Sequence, residues 1–157
     1  MNSGSVPATA DPSVAEDALA AQPIGYWSGA VHRAVVTRLR DAMATIDVTQ
    51  PQWWTLTRVD AGGGLTRDEV TTHLEDVADT PHDVPRAVDQ LLHRGWIAAD
   101  NAGRLGLTDD GRAAQRRIRA LVTEVRAQIH EGVPDEEYVA ALKVIRRMIS
   151  NLESAAR

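Results

Sequence analysis

Few residues in this sequence have the types and spacing that acid/base catalysis requires. Tyr26 and His32 lie close together in the chain, and Arg33 and Arg38 follow them. A phenol and an imidazole can exchange protons with a substrate when a carboxylate, such as that of Glu124, lies within reach. Tyr26 and His32 are therefore the candidate catalytic residues. The alternative is that His32 is a structural or solvated residue on the flank of a helix.

The sequence lacks the residues that several other kinds of reaction site need. The sequence contains no cysteine, so a disulfide, a thiolate metal site and a cysteine nucleophile are excluded. The histidines do not have metal-ligand spacing, and we predict no metal site. The Gly62-Gly63-Gly64 run lacks a following lysine and a flanking strand, so we predict no phosphate loop and no cofactor. The absence of cysteine fits a cytoplasmic protein, and no apolar run reaches the roughly 18 residues of a membrane span.

The overall charge is unfavourable for coating nucleic acid. Seventeen basic and 22 acidic residues give a formal net charge of −5, whereas phosphate binding depends on clustered Lys and Arg. The chain has 157 residues, of which 43% are hydrophobic and 25% charged. This composition predicts one globular domain of ordinary size, with or without a tail.

Apolar spacing and capping residues predict a mostly helical chain. Residues 1–22 are rich in Ala, Ser, Pro and Asp and are predicted to form a flexible arm. From Ile24 to Ile46 apolar residues recur every three or four positions, which predicts a long helix. Capping boxes at Thr49–Gln52 and Thr66–Glu69 predict the starts of two further helices.

The next helix has two possible starts. Thr80 followed by Pro81 has the form of an N-cap and a proline at the first helical position. That start places Pro85 inside the helix, where it removes a hydrogen bond and clashes with the preceding turn. The helix can instead begin later, with Asp83 as the N-cap and Pro85 in the first turn.

The C-terminal third of the sequence predicts a hairpin and two long helices. Two short extended runs, 96–99 and 104–107, flank a turn at 101–103 and predict a β-hairpin. Thr108 predicts the cap of a long helix with an acidic first turn. Beyond the break at 132–134, a heptad-like seam suits a helical bundle between subunits. Its residues are Tyr138, Leu142, Ile145, Ile149 and Leu152.

Two segments carry a resemblance to a known family. One runs from Val84 to Ile97 and ends in Arg94-Gly95-Trp96-Ile97; the other is Leu107-Thr108-Asp109-Asp110-Gly111-Arg112. They resemble the end of the recognition helix and the Leu-Thr-x-x-Gly entry into the dimer helix of the multiple-antibiotic-resistance regulator (MarR) family. The resemblance covers roughly residues 24–154.

The resemblance implies an all-α winged helix-turn-helix fold with a small β wing, and a homodimer. A single domain over 23–157 would contain dimerisation helices at 24–47 and 109–154 and a winged head at 49–107. Two heads would read palindromic double-stranded DNA through successive major grooves. Family members bind small aromatic or amphipathic ligands between the dimer helices and the head, which implies an aromatic or polyketide-like ligand here. The residues of such a site would be Tyr26, Trp27, Val31, His32, Trp53 and Trp54. The alternative is that the tryptophans fill the core.

The parts that would contact DNA depart from the family pattern. Family members carry Ser or Thr near Asp83 and Pro85, and their longer wings carry several arginines, whereas this wing has only Arg104. Between Asp60 and Asp100 there are nine acidic residues and three arginines, so the head is more acidic than the whole chain. The candidate DNA contacts are His82, Arg86, Arg94 and Arg104.

These observations favour a dimeric, small-molecule-responsive transcriptional regulator whose DNA-reading elements are eroded. A second interpretation is a MarR-fold protein repurposed to bind a secondary metabolite, or to act on it as an enzyme, with little or no DNA binding. A third is a protein-interaction module independent of DNA. A regulator requires Arg86 for DNA binding, whereas an enzyme would turn over its substrate without DNA and slow on substitution of Tyr26 or His32.

Overall fold

The computed structural model describes the backbone of residues 12–156 and the side chains of residues 16–156. This part of the chain contains seven helices and one two-stranded antiparallel sheet. The chain forms two compact units, one that ends at Thr37 and one that begins at Arg38. The boundary falls inside the second helix, whereas the sequence analysis predicts one domain over 23–157.

The first unit contains a helix that the sequence analysis did not predict. Helix α1 (Pro12–Ala20) lies within the predicted flexible arm. Proline is well suited to the first helical position, and the alanines of this segment have high helix propensity. The Asp11-Pro12 pair has the form of an N-cap followed by a proline. The segment has no wide apolar stripe, however, and its composition favours a flexible arm, which explains the difference. The rest of the predicted arm, residues 1–11, lies outside the described residues.

The predicted long helix and both capping boxes are confirmed. Helix α2 (Ile24–Ala44) is followed by α3 (Gln50–Ala61) and α4 (Arg67–Leu74). At the start of α3, the Thr49 side chain accepts a hydrogen bond from the Gln52 backbone N–H, and the Gln52 side chain accepts one from the Thr49 N–H. Thr66 and Glu69 make the same pair of hydrogen bonds at the start of α4. For Glu69, the backbone and hydroxyl hydrogen bonds from Thr66 lower the pKa of the carboxyl group. Both boxes satisfy N–H groups that a helix start leaves unpaired.

The predicted wing is present and is short. After α5 (Asp83–His93), strand β1 (Ile97–Ala99) pairs with β2 (Leu105–Leu107) in an antiparallel hairpin. At the turn, the Asp100 carboxylate accepts hydrogen bonds from two backbone N–H groups, at 2.8 and 2.9 Å. The backbone of β2 also bonds to the segment before α4, because the Leu105 N–H donates to the Leu65 carbonyl at 2.8 Å.

The two last helices differ in what they bury within this one chain. Helix α6 (Asp109–Ile129) buries one face, which includes Ala114, Ile118 and Val125. Helix α7 (Asp135–Ala155) buries no residue. Its predicted seam is largely open to solvent, and Leu152 is 72% exposed. An apolar face of this kind is stable in water only when something covers it.

The core of the second unit lies between α3, α4, α5, the wing and α6. Each fully buried Leu, Ile, Val or Met side chain contributes about 1.5–3 kcal/mol relative to exposure. The largest fully buried side chains in this core are Met43, Leu56, Val70, Val84, Val88, Leu91, Ile97 and Ile118. These residues fix α5 and the wing on the rest of the head, which is the part of the unit from residue 49 to residue 107.

Gly111 allows α6 to begin directly against the wing. The Thr108 side chain accepts from the Gly111 N–H at 3.0 Å and donates to the Gly95 carbonyl at 2.6 Å. A Cβ at position 111 would lie 1.8 Å from the carbonyl oxygen of Trp96. Only glycine permits this close approach of two backbone segments. The Leu-Thr-x-x-Gly pattern therefore has a steric cause in this chain.

We predict that Gly111→Ala destabilises the protein by about 1–3 kcal/mol or more, because backbone must move to accept the methyl group. In an open helical position the same change would be stabilising by about 1 kcal/mol. Gly106→Ala is the control, since no described heavy atom lies within 4 Å of a Cβ there. Urea unfolding of the three proteins measures the difference. An unchanged or higher stability of Gly111→Ala would contradict the packing described for Trp96.

Candidate nucleic-acid interface

The start of α5 follows the later of the two predicted alternatives. The helix begins at Asp83, with His82 at the N-cap position and no side chain capping it. Thr80 is therefore not the N-cap, and Asp83 is the first helical residue and not the cap. Pro85 falls in the first turn, where a backbone N–H has no helical partner to lose. Proline at this place is compatible with a regular helix.

The Asp83 carboxylate is held by Thr80. The Thr80 N–H donates to Asp83 Oδ2 at 2.8 Å, and the Thr80 hydroxyl donates to Asp83 Oδ1 at 2.9 Å. The hydroxyl hydrogen bond and then the backbone hydrogen bond lower the pKa of the Asp83 carboxyl, with smaller contributions from the charges of Arg86 and His82. A negative charge here is also favourable against the N-terminal end of the helix dipole. The same charge is unfavourable for phosphate.

Arg67 joins α4 to α5. Its guanidinium donates to the Pro85 carbonyl at 3.2 Å and forms an ion pair with Asp89. Asp89 lies on α5, one turn beyond Pro85. This arginine was not among the predicted site residues, and no local sequence pattern reveals a partner that lies 22 positions away. Both contacts are made by its Nη2, and the side chain is 43% exposed. Arg67 is therefore a cation of the head that already has a partner in the protein.

Arg94, a predicted DNA contact, is also bound within the protein. It lies at the C-terminal end of α5, and its guanidinium donates to the Asp47 carbonyl at 2.6 Å. The same group lies 3.9 Å from the centre of the Trp96 ring, in a cation–π contact. Its side chain is only 26% exposed. Arg94 thus ties the end of α5 to the turn before α3.

The other predicted DNA contacts are exposed. His82 and Arg86 lie at the N-terminal end of α5, and Arg104 lies on the wing, with its side chain beside Gly64. Neither Arg86 nor Arg104 donates a side-chain hydrogen bond to any residue that the structure describes. Arg58 also donates no side-chain hydrogen bond to a described residue, but it is partly buried and its Nε is shielded from solvent. The exposed arginines of the head whose donors are available for an external anion are therefore Arg86 and Arg104.

The predicted ligand residues fall in both compact units. In the first, Tyr26 and Trp27 pack edge to face with ring centres 5.3 Å apart, and the Trp27 N–H donates to Gln22. Val31 and His32 are exposed on the same helix. In the second, Trp53 and Trp54 are half-buried and pack against the core, as the core-filling alternative requires. Neither Tyr26 nor His32 makes a side-chain hydrogen bond to a residue in the described range, and Glu124 is exposed.

No group of three or more His, Cys, Asp or Glu side chains in this part of the chain has an arrangement that could hold a metal ion. Nor does any described helix combine the length and apolar character needed to cross a membrane.

Comparison with solved structures identifies the fold as a MarR-type winged helix. A protein of unknown function from Listeria innocua superposes with a TM-score of 0.67 at 22% identity, covering 82% of this chain and 91% of that one. A Mycobacterium tuberculosis MarR family protein in complex with DNA gives 0.65 at 22% identity, covering 83% and 98%. The reduced form of MarR from E. coli gives 0.63 at 19% identity, covering 82% and 93%. No protein-family model and no curated protein matches the sequence.

We predict that Thr80→Val raises the pKa of Asp83, because the hydroxyl donor is lost while the backbone donor remains. NMR titration of the carboxyl groups measures this, and Thr72→Val, an exposed threonine on α4, is the control. A lowered pKa stabilises the fold above the pH at which the unfolded carboxyl titrates, and this stability is lost as the pH falls through the folded pKa. The stability difference between the native protein and Thr80→Val should therefore shrink in acid. An Asp83 pKa that is the same in both proteins would contradict the assignment.

Proposed function

We propose that the protein is a dimeric transcriptional regulator that responds to a small molecule, and that its heads bind DNA weakly. The observation that carries this proposal is the head itself: α4, a turn, α5 and the wing occur in the order and pairing of a winged helix-turn-helix. In such folds the N-terminal residues of the second helix contact base edges in the major groove. A regulator of this kind acts in the cytoplasm, where it has access to DNA.

The structural neighbours support both halves of the proposal. The M. tuberculosis protein has been solved in complex with DNA, and also with salicylic acid and with p-aminosalicylic acid. A fold shared over more than four-fifths of this chain makes DNA and a small aromatic molecule reasonable partners. The aromatic residues Tyr26, Trp27, Trp53 and Trp54, together with Val31 and His32, remain the proposed ligand residues.

A homodimer would account for the apolar face of α7. Val139, Leu142, Met148, Ile149 and Leu152 are each at least 40% exposed in the single chain. Leu142, Ile149 and Leu152 belong to the predicted seam, whose spacings of four, three, four and three residues place it on one face of α7, and a helix from a second copy could cover that face. Dimerisation would also place two heads on one palindromic site.

Weak DNA binding follows from which charges of the head are free. Affinity for DNA depends largely on the number of phosphates that cations neutralise. Arg67 and Arg94 donate to groups of the protein and Arg58 is partly buried, so Arg86 and Arg104 are the exposed arginines with available donors in each head. The Asp83 carboxylate lies at the same end of α5 as Arg86. A few cations beside a fixed carboxylate support weak binding with a shallow dependence on salt.

We predict that Arg86→Ala abolishes DNA binding while the protein remains a dimer. At low ionic strength the native protein should bind a duplex from its own upstream region with a Kd in the micromolar range, typical of largely electrostatic binding. Fluorescence anisotropy gives the Kd, and light scattering gives the mass. The control is Arg117→Ala, which removes an exposed arginine of α6 that donates no hydrogen bond to a described residue.

Two results would count against this proposal. Submicromolar, sequence-dependent binding at physiological salt would show that the DNA-reading elements are intact. Unchanged binding by Arg86→Ala would show that α5 is not the element that contacts DNA.

The second candidate function is small-molecule binding without DNA binding. It is favoured by the same ion pairs, because the contacts of Arg67 and Arg94 stabilise the head at the expense of its phosphate contacts. The absence of any DNA binding by the native protein at low salt, combined with saturable binding of an aromatic ligand, would select this candidate over the first.

A further inference from the structure

Helix α5 has two faces of opposite character. Its buried face is formed by Val84, Ala87, Val88 and Leu91. The other face carries four exposed residues, each three or four positions from the next, so they form one line along the helix. These residues are His82, Arg86, Asp89 and His93. In a winged helix-turn-helix, the exposed face of the second helix is the one that enters the major groove.

Asp89 is the carboxylate of this exposed line, and its two oxygens differ. Oδ1 forms the ion pair with Arg67, which also donates to the Pro85 carbonyl at 3.2 Å. Oδ2 accepts no hydrogen bond from a residue that the structure describes, and the side chain is 65% exposed. Arg67 therefore holds the carboxylate through one oxygen and leaves the other available.

The second carboxylate of α5 is different in both respects. Both oxygens of Asp83 accept hydrogen bonds from Thr80, at 2.8 and 2.9 Å. Asp83 is also only half-exposed and lies to the side of the exposed line. Asp89 is thus the acidic residue of α5 that presents an acceptor on the face directed at DNA.

A carboxylate on this face is unfavourable for phosphate, but it can distinguish bases. An ionised carboxylate only accepts hydrogen bonds. In the major groove cytosine presents the donor N4–H, whereas guanine and thymine present acceptors, which repel a carboxylate. Adenine has a donor at N6, but the acceptor N7 lies beside it. Cytosine is therefore the base whose edge best fits a carboxylate oxygen.

We infer that Asp89 is a specificity-determining residue that selects cytosine beside the guanine contacted by Arg86. The planar fork of Arg86 matches guanine O6 and N7. Arg86 and Asp89 are three residues apart, about 4.5 Å along the helix, which is close to the base-pair step of about 3.4 Å. The positive charge of Arg67 offsets part of the repulsion between Asp89 and the phosphates. This inference rests on the proposed function, because it requires that α5 contacts DNA.

Base selectivity of this kind is compatible with weak binding. Phosphate contacts supply most of the affinity and carry no sequence information, whereas contacts to base edges distinguish one sequence from another. A head with few free cations binds every duplex weakly and still prefers one base pair over another.

The first experiment determines the preferred half-site. The full-length protein selects duplexes from a pool with a random central region at low ionic strength, and the bound DNA is sequenced. The native protein should enrich a cytosine at a fixed position next to a guanine. Two duplexes that differ only at this position, with C·G or T·A, are then compared by fluorescence anisotropy. The cytosine duplex should bind about fivefold more tightly or better, as expected for a base contact.

The second experiment changes the acceptor. Asp89→Asn keeps the shape of the side chain and adds a donor, and an amide pairs with adenine N6 and N7. The preferred base should change from cytosine to adenine, while the guanine contacted by Arg86 is retained. Asp68→Asn, which removes an equal charge from an exposed position on α4, is the control. It should change the Kd of both duplexes alike and leave their ratio as in the native protein.

The possible outcomes distinguish this inference from the function proposed above. If Asp89→Asn changes the Kd of both duplexes by the same factor, the role of Asp89 is electrostatic or structural and the inference is wrong. Native protein that binds DNA but enriches no cytosine at a fixed distance from the guanine would also overturn it, and the regulator would stand. Failure to bind any duplex at low salt would refute the proposed function, and this inference with it.

Discussion

Pro85 restricts where α5 can begin, and the chemistry of the DNA-facing end of the head follows from this restriction. Proline has no N–H to donate and clashes with the turn before it, so it is tolerated only in the first turn of a helix. Helix α5 accordingly begins at Asp83, two residues before the proline. A carboxylate at that position is favourable for the helix because Thr80 donates two hydrogen bonds to it and because the helix dipole attracts it. The group that stabilises the start of the helix is therefore the group that opposes phosphate.

The arginines of the head are divided between two roles. Arg67 holds the first half of α5 through Pro85 and Asp89, and Arg94 holds its C-terminal end through Asp47 and Trp96. Both arginines therefore already have partners within the protein, although the Arg67 side chain stays 43% exposed. Arg86 and Arg104 make no side-chain hydrogen bond to a described residue, so they keep free donors.

Local sequence patterns predicted much of the fold. The capping boxes at Thr49 and Thr66 and the hairpin after Trp96 are determined by residues within a few positions of each other, and all three are present. The start of α5 could not be chosen from the sequence, because the cap signal at Thr80 and the restriction from Pro85 conflict. Helix α1 was missed because its composition and the lack of a wide apolar stripe favour a flexible arm, although Asp11-Pro12 has the form of a helix start.

The contacts that define the candidate sites could not be predicted in the same way. The contacts between Arg94 and Asp47, and between Gln52 and Gln90, join residues 47 and 38 positions apart. Apolar periodicity also gives no indication that glutamines such as Gln50 and Gln52 are buried. Candidate DNA contacts could be named by residue type and position, but which of their donors are already used depends on tertiary contacts.

The dependence of DNA affinity on salt tests the central claim most directly, namely that each head has few free cations. The logarithm of the association constant falls with the logarithm of salt concentration with a slope of about −0.9 for each phosphate neutralised. Two heads that each offer Arg86 and Arg104 should give a slope of about −4 or shallower. A slope near −10, which requires several more phosphate contacts in each head, would contradict the account.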